Sequence, residues 1–247
     1  MGKRILALDV GNTRIKWGLA DASAWIESGA IEHHFSERLQ HDWDRLPAPD
    51  KIIGSNVAGE NQIVGLTEYW RNRGLEITWI KSSVMSCGVT SNYEQPAQLG
   101  TDRWAALIGA WHKERRPCLV ASAGTAMTID MLDAQGRFMG GQILPGRRLM
   151  QECLVAGTHA LAAETGQVKE YPLNTADATA TGIANALVSP IESAFHRLES
   201  WTNAKPVCLI AGGDAAWLAG QLKIACQVEA GLVLDGLLIM AEEEIQS

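Results

Sequence analysis

Apolar residues fall in short β-rich runs separated by segments of helical period, a pattern that reads as buried strands alternating with amphipathic helices. Ile5–Val10 runs into a Gly-Asn turn, with Arg14–Leu19 as its hairpin partner. Lys51–Asn56 and Leu75–Ile80 read as further strands, with a helix over Asn61–Arg73 between them. That order predicts an α/β architecture with some parallel pairing. Trp104, Ala105, Leu107, Ile108 and Trp111 recur at helical spacing, so Thr101–Glu114 reads as a helix that Thr101 can cap and Pro117 closes off. Cys118–Ala121 and Met127–Leu132 flank a Gly-Thr turn as two more strands, and Val207–Ala211 ends in Gly212-Gly213-Asp214. Gly146–Ala156, Ala176–Glu199, Ala215 to about Leu222, and Leu232–Glu244 read as helices. Pro190 should kink or restart the second of these. Gly140-Gly141 and Pro145-Gly146 mark a loop at the end of a strand.

The chain also repeats itself weakly. Ala7-Leu8-Asp9-Val10-Gly11-Asn12 lines up with Val120-Ala121-Ser122-Ala123-Gly124-Thr125, each a strand running into a turn of small residues. This predicts two similar lobes, 1–116 and 117–247, facing one another and each bringing a turn to a shared cleft.

Composition narrows the picture. With 247 residues, 47% of them hydrophobic, the chain holds one large domain or two small ones and a sizeable core. Lys and Arg number 21 against 28 Asp and Glu, a net charge of −7, which argues against a nucleic-acid surface but leaves room for an anionic small substrate. No apolar run approaches the ~20 residues of a membrane span. Asp9 ends the first apolar stretch too early for a signal peptide, and Gly2 lacks the Ser or Thr that myristoylation needs downstream. The five cysteines are widely spaced without a C-x-x-C pair, so they are expected as small buried side chains in a reducing cytosol rather than disulfides or a zinc site. His33-His34 is expected in a solvated loop. P-loop, dinucleotide, nucleophile-elbow and H-E-x-x-H motifs are absent, so dehydrogenase and hydrolase chemistry lack support.

Four short constellations carry candidate chemistry. In Asp9-Val10-Gly11-Asn12-Thr13, the glycine allows a tight turn or close backbone approach, and Asn12 and Thr13 can join an anion-binding nest. Asp9 could hold Mg²⁺ directly or through water, and Lys16 could reach a phosphate; a plain hairpin is the alternative. Ser122-Ala123-Gly124-Thr125-Ala126-Met127-Thr128 repeats that logic, and together the two turns describe a two-jawed phosphate clamp. Gly100-Thr101-Asp102-Arg103 opens a helix, whose positive end favours an anion. Asp102 could accept a hydrogen bond from a substrate hydroxyl and Arg103 could fork onto a carboxylate; a dipole-complementing Asp and a surface Arg are the bland reading. Gly212-Gly213 would let a flat ring such as a nucleotide base lie on the backbone, or simply make a tight turn.

Taken in order, these motifs resemble the type III pantothenate kinases. The match includes Asp9-Val10-Gly11-Asn12-Thr13, Tyr93-x-x-Pro96-x-x-Leu99-Gly100-Thr101-Asp102-Arg103, Gly124-Thr125-Ala126, Gly140-Gly141-x-Ile143-x-Pro145-Gly146, Asn174-Thr175 and Gly212-Gly213-Asp214. The phosphate turns are shared with the wider superfamily of acetate and sugar kinases, Hsp70 and actin. The resemblance implies an α/β, duplicated ribonuclease-H-like (actin-like ATPase) fold, two lobes of mixed sheets flanked by helices, with an ATP cleft between them. It implies a cytoplasmic homodimer that uses ATP and Mg²⁺ to convert pantothenate to 4'-phosphopantothenate, the first step of coenzyme A synthesis.

It also implies residue roles. Asp9, Val10, Gly11, Asn12, Thr13, Arg14, Ile15 and Lys16 form the first phosphate-binding segment, and Thr125 is the second ATP contact. Asp102 is the base for the pantothenate hydroxyl. Tyr93, Gly100, Thr101 and Arg103 are substrate contacts, with Thr175 offered across a dimer interface. One departure stands out: Ser122 replaces the Asp with which the family helps bind a monovalent cation, K⁺ or NH₄⁺, so a weakened potassium requirement is expected. Another small-molecule kinase of the superfamily, or a non-catalytic regulator on the same fold, are the competing readings.

Overall fold

The computed structural model describes residues 3–33, 36–158 and 165–246. The chain forms two compact units, Met1–Lys113 with Gly231–Ser247, and Glu114–Ala230. The C-terminal helix, expected with the second lobe, therefore belongs to the first unit, where it packs on two central strands.

In the first unit, strands β1 (Arg4–Val10), β2 (Arg14–Asp21), β3 (Ala24–Glu32), β4 (Lys51–Asn56) and β5 (Ile77–Trp79) lie in the order β3-β2-β1-β4-β5. β1 pairs antiparallel with β2 and parallel with β4. It is buried on both faces from Ile5 to Val10, which explains its continuous apolar run. Leu6, Leu8 and Val10 share a core with Ile15 and Trp17 of β2, and with aromatic residues of helices α1 (Ser36–Trp43) and α2 (Val64–Arg71). β3 has no apolar stripe and is exposed along most of its length, held by pairing with β2. Its entry turn places Ala22 and Ser23 at positive φ without the Gly or Asn that would advertise it.

Helix α3 (Thr101–Glu114) is buried from Arg103 to Trp111. It crosses helix α7 (Leu232–Gln246) where Gly109 and Gly236 meet the other helix's backbone; a Cβ on either would overlap a carbonyl oxygen, of Leu232 or Ala105. Strands β6 (Met85–Ser86) and β7 (Val89–Ser91) form a short hairpin in the same unit.

The second unit repeats the plan. Strands β8 (Cys118–Ala123), β9 (Ala126–Leu132), β10 (Arg137–Pro145), β11 (Val207–Ala211) and β12 (Gln227–Val228) run β12-β11-β8-β9-β10. β8 and β9 are antiparallel, as are β9 and β10, whereas β8, β11 and β12 are parallel. The Gly140-Gly141 pair is not a loop, as expected, but an irregularity inside β10: the register shifts between Phe138 and Gly141, with Gly140 at φ 112°.

Helices α4 (Arg147–Gly157), α5 (Thr175–Thr202) and α6 (Ala215–Ala219) complete this unit. α5 runs through Pro190 without restarting. Leu187, Ile191 and Ala194 on either side are buried against β8 and β9, and that packing outweighs the proline's lost hydrogen bond. α6 stops short of the expected Leu222.

Cys87, Cys118 and Cys208 are buried, and burial pushes their thiols up to about 12; Cys153 is exposed. Among the described residues, no helix is long and apolar enough to cross a membrane.

Candidate active site

Asp9 is the penultimate residue of β1 and is only 6% exposed. Burial lifts its pKa to about 6; Lys16 pulls it down, and the Asp102 charge pushes it up. Lys16 faces Asp9 across the β1–β2 register, with Nζ 3.8 Å from Oδ2. The other carboxylate oxygen, Oδ1, has no hydrogen-bond partner among the described residues. An orphaned buried acceptor is costly, and a bound cation would satisfy it. Among the described residues, no group of three or more His, Cys, Asp or Glu side chains could cage a metal by itself. One carboxylate completed by phosphates and water fits Mg²⁺, which binds that way.

The turn after Asp9 is closed from inside by Gly11 N–H donating to the Arg14 carbonyl at 3.1 Å. Asn12, Thr13 and Arg14 are exposed at its tip, whereas the side chains of Val10 and Ile15 are fully buried. Those two can therefore offer a nucleotide only their backbone. Arg14 pairs with Glu32 at 3.8 Å across exposed surface. His33, expected in solvent, is half-buried, with Nε2 2.6 Å from the Gly11 carbonyl oxygen. Its neighbour His34 lies outside the described residues.

The start of α3 supplies a second acid. Asp102 folds back on the helix terminus, where its Oδ1 accepts from Arg103 N–H at 2.8 Å. Burial raises its pKa, partly offset by that hydrogen bond, by the Arg103 charge and by Lys16. Asp9, Lys16 and Asp102 thus share one electrostatic environment.

Thr101 does not cap the helix as expected. Gly100 holds the cap position, its carbonyl accepting from Trp104 N–H. The Thr101 hydroxyl instead meets Ser55 Oγ at 2.9 Å. Ser55 is buried and pairs in register with Asp9. A serine following the apolar Ile52-Ile53 pair of β4 was its only sequence signal. Arg103 is buried, and its Nη1 donates to the Tyr93 hydroxyl at 3.2 Å. The structure thereby joins two residues ten positions apart that the motif had named separately.

In the second unit, Thr125 is exposed at the β8–β9 turn, and its carbonyl accepts from Gly146 N–H at 2.8 Å. A Cβ on Gly146 would overlap the Gly124 oxygen, so the residue that follows β10 and opens α4 braces this turn backbone to backbone. The Gly-Gly-Asp turn docks beside it, with Asp214 N–H donating to the Ala123 carbonyl at 3.2 Å. Its two glycines do different work. Gly212, at φ 98°, has no room for a Cβ against Ala123, whereas nothing lies within 4 Å of a Cβ at Gly213. Only Gly213 leaves open space for a ligand.

Asp214 lies 4.0 Å from Arg147, whose guanidinium sits 4.3 Å above the Trp217 ring. Neither Arg147 nor Trp217 was visible as a site residue, because nothing in the spacing links α4 to α6. Ser122 faces Thr128 across the β8–β9 register. Thr175 opens α5, which Asn174 caps by accepting from Asp177 N–H at 2.8 Å. Thr175 also lines a groove of about 940 Å³ with Pro145, Leu154, Leu173 and Ile183.

Comparison with known proteins matches this geometry to a family. Residues 5–197 match the family model described as type III pantothenate kinase. A type III pantothenate kinase of Nitrosospira multiformis is 42% identical over 243 residues, 98% of this chain and 93% of that protein. One from an Azoarcus species is 43% identical over 96% of this chain and 90% of its own length. At the level of fold, the activator of the 2-hydroxyisocaproyl-CoA dehydratase from Clostridium difficile, solved with ADPNP bound, aligns with a TM-score of 0.55 at 12% identity. That alignment covers 99% of this chain and 98% of that one, and it places the two mixed sheets in the actin-like ATPase fold. The chain belongs to the family of type III pantothenate kinases, which phosphorylate pantothenate in coenzyme A biosynthesis.

Proposed function

We propose that Asp102 is the base of this pantothenate kinase and that Asp9 with Lys16 organises the donor phosphates. The observation that carries this reading is the grouping of two carboxylates whose pKa values burial raises beside one lysine. Asp102 accepts the pantothenate hydroxyl proton. Its raised pKa makes it a stronger base than a solvated carboxylate. Lys16 supplies positive charge where the phosphoryl group passes, and Asn12 and Thr13 offer donors at the turn tip. Mg²⁺, when bound, would be held by Asp9 and would neutralise charge on the triphosphate oxygens.

Arg103 and Tyr93 take the pantothenate carboxylate. A buried guanidinium already oriented by the Tyr93 hydroxyl is suited to a planar anion. Gly100 and Thr101 line the same helix start as substrate contacts, and Thr125 is an ATP contact. The test is ADP release as a function of pantothenate and of ATP. Arg103→Lys should raise the pantothenate KM about tenfold or more, the loss of one charged hydrogen bond, and leave the ATP KM unchanged. An unchanged pantothenate KM would remove Arg103 from the carboxylate site.

At the monovalent-cation position Ser122 stands where the family carries a carboxylate, and a neutral serine is the weaker cation ligand. Ser122 and Thr128 offer only neutral hydroxyls facing each other, and no step is assigned to that ion. We propose that the potassium requirement is weakened accordingly.

We propose also that a second copy of this chain docks on the groove beside Thr175. Its support is the exposed apolar surface there, with Leu173 95% and Tyr171 76% exposed. Thr175 at the rim would then reach a site through the dimer. Light scattering should report a dimer for the wild type and a monomer for Leu173→Asp; a monomeric wild type would overturn this arrangement.

A further inference from the structure

The first phosphate turn is held from outside by a residue that no motif includes. β3 ends at Glu32, opposite Arg14 at the start of β2, so the next residue, His33, lies beside the turn that joins β1 to β2. Its Nε2 is 2.6 Å from the Gly11 carbonyl oxygen. A carbonyl can only accept, so the proton sits on Nε2. The other backbone groups at the turn's base are also engaged. The Val10 carbonyl accepts from Val57 N–H at 3.0 Å, and Gly11 N–H donates to the Arg14 carbonyl.

Fixing the Gly11 carbonyl fixes the next N–H. The peptide unit is planar and trans, so the amide N–H of Asn12 points opposite to the Gly11 C=O and therefore away from His33. This linkage is one that a peptide flip could reverse cheaply, because Gly and Asn both tolerate positive φ. A flipped peptide would aim a carbonyl oxygen, not an N–H donor, at an anion. The second turn meets the same need differently, with the Thr125 carbonyl held by the Gly146 backbone N–H at 2.8 Å.

We propose that His33 is a positioning residue that locks the Gly11–Asn12 peptide so that Asn12 N–H faces the phosphates of the donor nucleotide. It touches no reacting atom and acts through the turn. The inference rests on the reading that this turn binds those phosphates.

The experiment pairs kinetics with backbone amide NMR on the full-length protein. His33→Ala should raise the ATP KM about tenfold while the pantothenate KM holds. His33→Gln, whose amide N–H can reach the same carbonyl, should recover most of that loss. In the wild type, adding a non-hydrolysable ATP analogue should shift the Asn12 amide resonance, and in His33→Ala the shift should need about tenfold more analogue. A wild-type Asn12 amide that ignores the analogue would mean that the turn is not the phosphate site, and the inference would fall with that reading. An amide that responds equally in wild type and His33→Ala, with an unchanged ATP KM, would overturn the role of His33 alone. So would a His33→Gln variant as impaired as His33→Ala while still folded by circular dichroism.

Discussion

The two units repeat one strand order around a central hairpin, yet the residues at matching positions differ in kind. In the first unit, Asp9 is the penultimate residue of β1, with Lys16 opposite it on β2 and Ser55 beside it on β4. In the second, β8 carries Ser122 at that place, with Thr128 opposite on β9 and Ala211 beside it on β11. One hairpin therefore buries a carboxylate next to an ammonium, and the other sets two half-buried hydroxyl residues opposite each other. Each leaves an oxygen without a partner among the described residues, Asp9 Oδ1 and Thr128 Oγ1. Only the first is charged, and only it has the strength to order a divalent cation and to share a field with a second acid. The turns differ in bracing as well, by a side chain in the first unit and by the backbone of Gly146 in the second. Duplicating a backbone reproduces its turns, whereas the chemistry stays with the side chains that each copy keeps.

The contrast breaks most severely at Asp102. Asp102→Asn should lower kcat by about 10²–10⁴-fold, the usual contribution of a positioned base. The fold should remain intact, because an Asn oxygen can still accept from Arg103 N–H. Turnover within a fewfold of wild type would remove Asp102 from the reaction.

Asp9→Asn should separate activity from stability. The Asp9 carboxyl keeps its proton to about pH 6 in the folded protein but, at its ordinary value of 3.8, releases it earlier in the unfolded chain. Between those values the folded state binds more protons, so stability falls as pH rises through that window. Without Mg²⁺, the Asn variant should be more stable than wild type by about 3 kcal/mol above pH 6, the equivalent of a two-unit shift. The two should converge below pH 4. Chemical denaturation at pH 3.5 and pH 8 in chelator reads this directly, and an equal gain at both would show that charge burial is not the cause. The same variant should lose its Mg²⁺-dependent activity.

Bracing of the second turn is tested by Gly146→Ala, which forces a Cβ into the Gly124 carbonyl. Overpacking of this kind should cost ~1–3 kcal/mol, visible as a lower Tm, whereas Gly11→Ala meets ordinary contact distances and should cost less. The smallest effect is expected from Ser122→Asp, which restores a carboxylate to the second hairpin. The ratio of rates in potassium and sodium should rise about threefold, the size of a partly exposed charge interaction. An unchanged ratio would detach Ser122 from cation dependence.

Several elements were legible because one local pattern sufficed. Lys51–Asn56, Val207–Ala211 and Thr101–Glu114 appear with the boundaries their hydrophobic periods imply. β3 did not, because an exposed edge strand has no buried face to impose alternation. β10 was masked by Gly140-Gly141, which reads as a break and is accommodated as an irregularity within a paired strand. The same limit applied at the site. Asp9, Lys16, Asp102 and Arg103 stand in motifs, but Ser55, His33 and the Arg147–Trp217 stack do not, because each matters through a partner far along the chain.

The order of residues alone was enough to announce the hairpins, the duplicated turns and the family's Gly-Thr-Asp-Arg segment. Turn chemistry and hydrophobic period are local properties, readable within a few residues. Folding decided the rest: that Asp9 is buried with a raised pKa, that Gly212 is spent on packing while Gly213 stays open, that the last helix returns to the first unit, and that His33 lies against Gly11. Each depends on which distant atoms exclude water from a group or approach it, and that is settled only when the sheets and helices close around it.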